Sequence, residues 1–219
     1  METPICDFVE AYAARDPVRM HMPGHKGAIF TGPEKFDITE ITGADELCAA
    51  DGIIRRSEQN ASALFGSADT LYSTEGSSQC ICAMLFLALL EWRRTHRTAS
   101  IRPAVIAARN VHKAFVRAAA LLDFDPIWLS PEDEVYSLTR CRVGCGQLER
   151  VLCETGERAA AVFITSPDYL GTLADIRALS ESAHKHGVMF LVDDAHGAYL
   201  RFLPESLHPL DLGADMCCD

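Results

Sequence analysis

Lysine is scarce in these 219 residues: Lys26, Lys35, Lys113 and Lys185 are the only four, and none follows position 185. A lysine amine, as nucleophile or covalent anchor, is thereby excluded from the last stretch of the chain. Basic charge is also short. The formal net charge of −11 argues against nucleic acid or an anionic membrane surface as a partner, because a polyanion would be repelled. Long apolar runs are missing too. The longest, Cys80 to Leu90, is too short to span a bilayer, and the N-terminus lacks the basic start, apolar run and small-residue site of a signal peptide. A cytoplasmic protein is expected. There is no Gly-Xaa-Ser-Xaa-Gly elbow for a serine hydrolase, no His-Glu-Xaa-Xaa-His, no repeat and no low-complexity tract.

The nine cysteines have no paired spacing, since neither Cys80-Ile81-Cys82 nor Cys141-Arg142-Val143-Gly144-Cys145 has a second half. They read as reduced thiols, mostly core filler, and no metal site is expected. Arg93, Arg94 and Arg97 with His96 read as the charged C-terminal end of a helix.

At 48% hydrophobic composition the chain can bury a substantial core. A first helix is predicted over Pro4 to Ala14, with Ile5, Phe8, Val9 and Tyr12 on one face, followed by loop chemistry to about Gly52. A helix over Ser57 to Phe65 comes next, and then one from Ser77 to about Arg94 that is apolar on nearly every side and is expected to be buried. Strands are predicted at Ala104–Ala108, Pro126–Leu129, Ala160–Thr165 and Val188–Val192. They alternate with helices near Lys113–Leu122, Gly146–Cys153 and Ala174–His186. This is the βαβ signature of an α/β fold, a mostly parallel sheet flanked by helices, whose ligands gather at the strand carboxyl ends.

Three polar clusters fall at those ends: Arg109-Asn110-Val111-His112, Ser166-Pro167-Asp168-Tyr169 and Asp193-Asp194-Ala195-His196. Gly76-Ser77-Ser78, opening a long helix, offers free backbone N–H groups, two hydroxyls and the positive end of a helix dipole, which suit a phosphate. Asp193 directly follows an apolar strand. A carboxylate there can hold a proton on a pyridine nitrogen, so the ring can accept electrons from a carbanion; pyridoxal 5'-phosphate is the cofactor that this chemistry suits. His196, three residues on, would return toward the same ligand, and His112 could lay its imidazole on the ring. The plainer alternatives are a capping serine, a solvated turn and a structural histidine.

In chain order, Pro23-Gly24-His25-Lys26-Gly27, Asp37-Ile38-Thr39-Glu40 with Gly43-Ala44-Asp45-Glu46-Leu47, Gly76-Ser77-Ser78, Arg109-Asn110-Val111-His112-Lys113, Thr165 to Gly171 with Asp175-Ile176, Val192 to Gly197 and Gly213-Ala214-Asp215 together resemble the Orn/Lys/Arg decarboxylase family of fold-type-I pyridoxal phosphate enzymes. The resemblance implies an aspartate aminotransferase-like large domain, incomplete here. Residues 1–55 would form an N-terminal helix and extended arm, and 56–219 the N-terminal part of the cofactor-binding domain. It implies that Gly76, Ser77 and Ser78 hold the cofactor phosphate, that His112 stacks on the ring, that Asp193 pairs with its nitrogen, and that His196 and Ser166 stand nearby. His112, Asp193 and His196 would thus carry the catalysis. The implied reaction is decarboxylation of lysine, arginine or ornithine, in amino-acid metabolism and polyamine biosynthesis, by a homodimer or higher homo-oligomer in the full-length form. Transamination or aldol cleavage uses the same parts, and a non-catalytic fragment needing a partner half is a third reading. The family's Schiff-base lysine lies after the Gly-Ala-Asp segment, where this chain has none, whereas Lys113 precedes the Asp193 strand. The chain alone is expected to be inactive.

Overall fold

The computed structural model describes residues 2–28, 30–96, 101–131 and 142–219. Arg97 and Cys141 lie outside them. Two compact units divide the chain, Met1–Tyr72 and Ser73–Asp219.

In the first unit, helix α1 (Pro4–Ala14) starts on a proline, whose fixed φ and missing N–H cost nothing at a helix start. Helix α2 (Ile53–Phe65) packs on it and ends at Gly66 in the left-handed conformation. It begins four residues before the expected Ser57. The extra turn is held from upstream: the Asp45 carboxylate accepts the N–H groups of Gly52 and Ile54 at 2.8 and 2.9 Å. Partial desolvation alone would raise the Asp45 pKa, yet the N–H groups of Asp51, Glu46, Gly52 and Ile54 outweigh it and hold this carboxyl at about 2. Arg19, 8% exposed, gives its guanidinium to the carbonyls of Glu34, Lys35 and Asp37, and Gly27 faces it so closely that any side chain there would collide.

The second unit is the predicted α/β fold. Strands β1 (Ala104–Ala108), β2 (Asp125–Leu129), β3 (Ala159–Thr165), β4 (Met189–Asp193) and β5 (Met216–Cys218) form one sheet in the order β2-β1-β3-β4-β5, and every pairing is parallel. Helices α3 (Ser77–Thr95) and α4 (Lys113–Leu122) cover one face; α5 (Cys145–Thr155) and α6 (Ile176–Lys185) cover the other. Because side chains alternate along a strand, each β-strand feeds two cores. Val105, Ala107, Ala161, Phe163 and Leu191 join α3 and α4, while Ile106, Ala108, Val162, Ile164, Phe190 and Val192 join α5 and α6.

One expectation changes, and one element is added. Helix α3 is two-sided rather than wholly buried: Ile81, Met84, Leu85, Ala88, Leu89 and Trp92 recur at helical spacing on the sheet, while Phe86, Leu87 and Leu90 stay 44–47% exposed. Arg93 and Arg94 do occupy its last turn. The described cysteines are free thiols: Cys80, Cys82, Cys145, Cys217 and Cys218 lie in or against the two cores, as expected of core filler, while Cys6, Cys48 and Cys153 are exposed. Strand β5 was not foreseen from periodicity; three residues are too few to show one. No helix among the described residues is long and apolar enough to cross a membrane.

Candidate cofactor site at the strand carboxyl ends

Parallel pairing puts the carboxyl ends of all five strands on one edge, and the register there is specific. Thr165 is opposite Asp193, and Asp193 is opposite Cys218, across three neighbouring strands. By alternation, all three share the face of Phe163 and Leu191, the one roofed by α3 and α4. The Asp193 carboxylate is 4% exposed and takes only long contacts: Thr165 Oγ1 at 3.4 Å, the Ala195 N–H at 3.4 Å and Cys218 Sγ at 3.6 Å. A buried carboxylate so weakly satisfied is suited to accept a strong bond from a cationic N–H.

Helix α3 reaches the same place. Burial, then Asp193, then Cys80 push the Cys218 thiol upward, so the first turn of α3 and the end of β4 meet around this sulfur. Gly76 caps α3 at φ +67°, in the left-handed region that favours glycine. The N–H groups of Ser77 and Ser78 that follow have no carbonyl within their own helix, leaving them for an anion.

His112 is exposed and caps α4, its Nδ1 accepting the Ala114 N–H at 3.3 Å. The local hydrogen bond fixes the ring and leaves its face clear. His196 is exposed in the turn after β4, where the Gly197 N–H returns to the Asp194 carbonyl. Ser166 is placed differently from the expectation. It lies on the opposite face from Asp193, its Oγ accepts the Ala174 N–H at 3.1 Å, and it lines a cavity with Ile176, Leu207 and Leu212. Thr165, one residue earlier, is the neighbour of Asp193, and strand parity was the signal for it. Asp168 closes its own loop by accepting the N–H groups of Leu170 and Thr172.

Two cavities, of about 330 and 310 Å³, are lined by residues following β3 and opening α6, with Asn110 and Arg142 in the first; neither includes Asp193, His112 or His196. The first is also lined by Thr165, the β3 neighbour of Asp193, so the candidate site at the strand ends borders this cavity.

Asp194 points to the other face and is fully buried, and neither carboxylate oxygen meets a hydrogen-bond donor group among the described residues. Desolvation first, then the Asp219 carboxyl and the charge of Asp193, raise its pKa. An aspartate raised on folding weakens the fold as pH climbs from the ordinary carboxylate range toward its folded value, because only the unfolded chain releases the proton. Around it stand Asp193, His208, Cys217 and Asp219. In metal-free buffer Asp194→Asn should therefore raise the urea midpoint at pH 7.5 and leave it near wild type at pH 4. An equal change at both values would refute the assignment.

The profile of the Orn/Lys/Arg decarboxylase family, major domain, matches residues 3–218. The arginine decarboxylase of Bacillus subtilis (strain 168) is 30% identical over 226 residues, covering 98% of this chain and 44% of that protein. That of Bacillus anthracis is 26% identical, with 98% and 44% covered. The chain spans less than half the length of these curated relatives. Among solved structures, the constitutive lysine decarboxylase of E. coli superposes with a TM-score of 0.68 at 18% identity, over 93% of this chain and 30% of that one. Oryza sativa TDC with PLP superposes at 0.59 and 16% identity, over 74% and 40%. At such identities these are likenesses of fold. The ordered motifs, the parallel sheet and the profile match agree, and the chain belongs to the Orn/Lys/Arg decarboxylase family, in its major domain.

Proposed function

We propose that this chain supplies the cofactor-holding part of a pyridoxal phosphate-dependent decarboxylase whose substrate is a basic amino acid: arginine, lysine or ornithine. The observation that carries the reading is the row Thr165, Asp193, Cys218 facing α3, with the buried Asp193 carboxylate short of strong donors. When bound there, pyridoxal 5'-phosphate supplies an electron sink for the pair released as the α-carboxylate leaves. Asp193 holds the proton on the ring nitrogen, and Thr165 steadies Asp193 from β3. The Ser77 and Ser78 N–H groups and hydroxyls take the phosphate, where the α3 dipole adds to their attraction. His112, held by its capping bond, would cover one ring face and exclude water from it, and His196 would lie near the ring oxygen. Lys113 opens α4 ahead of the Asp193 strand and is not assigned as the covalent anchor. The net charge of −11 favours approach of a cationic substrate.

Pyridoxamine 5'-phosphate tests the site without requiring a lysine anchor. Calorimetric titration of the purified chain should saturate, inorganic phosphate should compete, and Asp193→Asn should weaken binding by at least about tenfold, the order of one charge-assisted hydrogen bond. No saturation, or equal affinity in the variant, would refute the assignment. For the reaction, a polypeptide of the relatives' length should yield carbon dioxide and an amine; an oxo acid product would rule out decarboxylation.

A further inference from the structure

We propose that His208, Cys217 and Asp219, with the buried Asp194 beside them, form a binding site for a single zinc ion on the α5/α6 face of the sheet, opposite the face to which Asp193 belongs. Alternation along β4 and β5 makes the division: Asp193 and Cys218 take one face, Asp194 and Cys217 the other. The site does not rest on the cofactor reading.

One atom from each of His208, Cys217 and Asp219 lies within 4.8 Å of the others. His208 Nε2 is 3.3 Å from Asp219 Oδ1 and 3.9 Å from Cys217 Sγ, and Cys217 Sγ is 3.9 Å from Asp219 Oδ2. The fourth group, Asp194 Oδ2, is 3.7 Å from His208 Nε2. Ideal tetrahedral zinc, with its usual bond lengths, separates nitrogen and oxygen ligands by about 3.4 Å and sulfur from either by about 3.6 Å. For His208, Cys217 and Asp219 the observed spacings need only a few tenths of an ångström of adjustment, whereas Asp194 stands outside this trio, against His208. A plain hydrogen-bonded cluster gives similar spacings, with a protonated Asp194 donating to Asp219, and the zinc titration below separates the two.

Asp194 is the second observation. Its side chain is completely buried, neither oxygen meets a hydrogen-bond donor group among the described residues, and the partner it faces is itself a carboxylate, Asp219. Burying a carboxylate in that state is costly unless it is protonated or meets a cation. A divalent ion at the centre of the cluster binds the thiolate and the carboxylates in their charged forms. Thiolate with imidazole selects zinc over calcium or magnesium. Three protein ligands hold the ion, and Asp194 would close the fourth position only by turning in toward Cys217 and Asp219. The ion would tie the His208 turn to the end of β5 and to the residue after β4.

Spacing alone did not reveal this site. His208 and Cys217 are nine positions apart in no known ligand pattern, and only the pairing of β4 with β5 brings Asp194 beside them.

The test uses the chelator-treated chain, with zinc titrated against a chromophoric chelator and cobalt(II) as the spectroscopic substitute. One equivalent of zinc should bind and raise the melting temperature. Cobalt should give the intense visible bands of a tetrahedral site and a thiolate charge-transfer band. Cys217→Ser should abolish that band and weaken zinc at least tenfold, and His208→Gln should weaken it comparably. Cys153→Ser, an exposed thiol on α5, should change nothing. A cooperatively melting wild-type chain that binds no equivalent, binds magnesium as well as zinc, or lacks the thiolate band would overturn the proposal. So would a Cys217→Ser protein indistinguishable from wild type. If that variant does not fold, the wild-type cobalt spectrum decides.

Discussion

Gly197→Ala is expected to destabilise the second unit by about 1–3 kcal/mol, the range for forcing atoms into a filled interior. A Cβ at Gly197 would lie 1.9 Å from Asp194 Oδ1 and 2.7 Å from both Asp194 Cγ and Pro167 Cδ. The backbone is not the obstacle, since Gly197 has φ −120°. Neither neighbour can yield cheaply: Asp194 is fully buried, and the proline ring has no rotamer to change. The His196 turn, closed by the Gly197 N–H on the Asp194 carbonyl at 2.6 Å, would have to open. A lower urea midpoint and weaker pyridoxamine phosphate binding should appear together. A variant with wild-type stability would show that the turn has more room than these distances allow.

Phe115→Ala is expected to cost more, about 3–5 kcal/mol, the range for emptying a buried aromatic site. Phe115 is fully buried at the centre of a ring cluster, with centroids 5.0 Å from Phe163 on β3, 5.6 Å from Phe124 and 5.7 Å from Trp128 on β2. It joins α4 to the sheet directly behind His112. Against a total stability of about 5–15 kcal/mol for a typical domain, the loss should leave a chain that melts near or below ordinary working temperatures. A fall under about 1 kcal/mol, measured by urea denaturation followed through tryptophan fluorescence, would mean that neighbouring rings collapse into the space.

Most of the second unit was legible because its elements are regular. Ala104–Ala108 and Lys113–Leu122 occupy their predicted bounds, and Ala159–Thr165 and Met189–Asp193 differ by a residue. Runs of β-branched and aromatic residues between amphipathic helices leave few alternatives. What failed to show was held by distant partners. The first turn of α2 depends on Asp45, seven positions before Gly52, where a search for an adjacent cap sees nothing. Thr165 was passed over for Ser166 because the polar cluster was read as a block, whereas strand alternation sends the two side chains to opposite sides. The Asp194, His208, Cys217 and Asp219 group needed β5, whose three residues carry no periodic signal.

The adjacent pair Asp193 and Asp194 has a consequence for how this segment tolerates change. Deleting or inserting one residue within Met189–Val192 would send the side chains that follow, Asp193 and Asp194 among them, to the opposite faces of the sheet. The lesion would be felt on both sides of the sheet at once. Length variation should therefore be absent from this strand and admitted only further on, in the exposed stretch around Phe202–Glu205, where the chain can absorb an extra residue before His208.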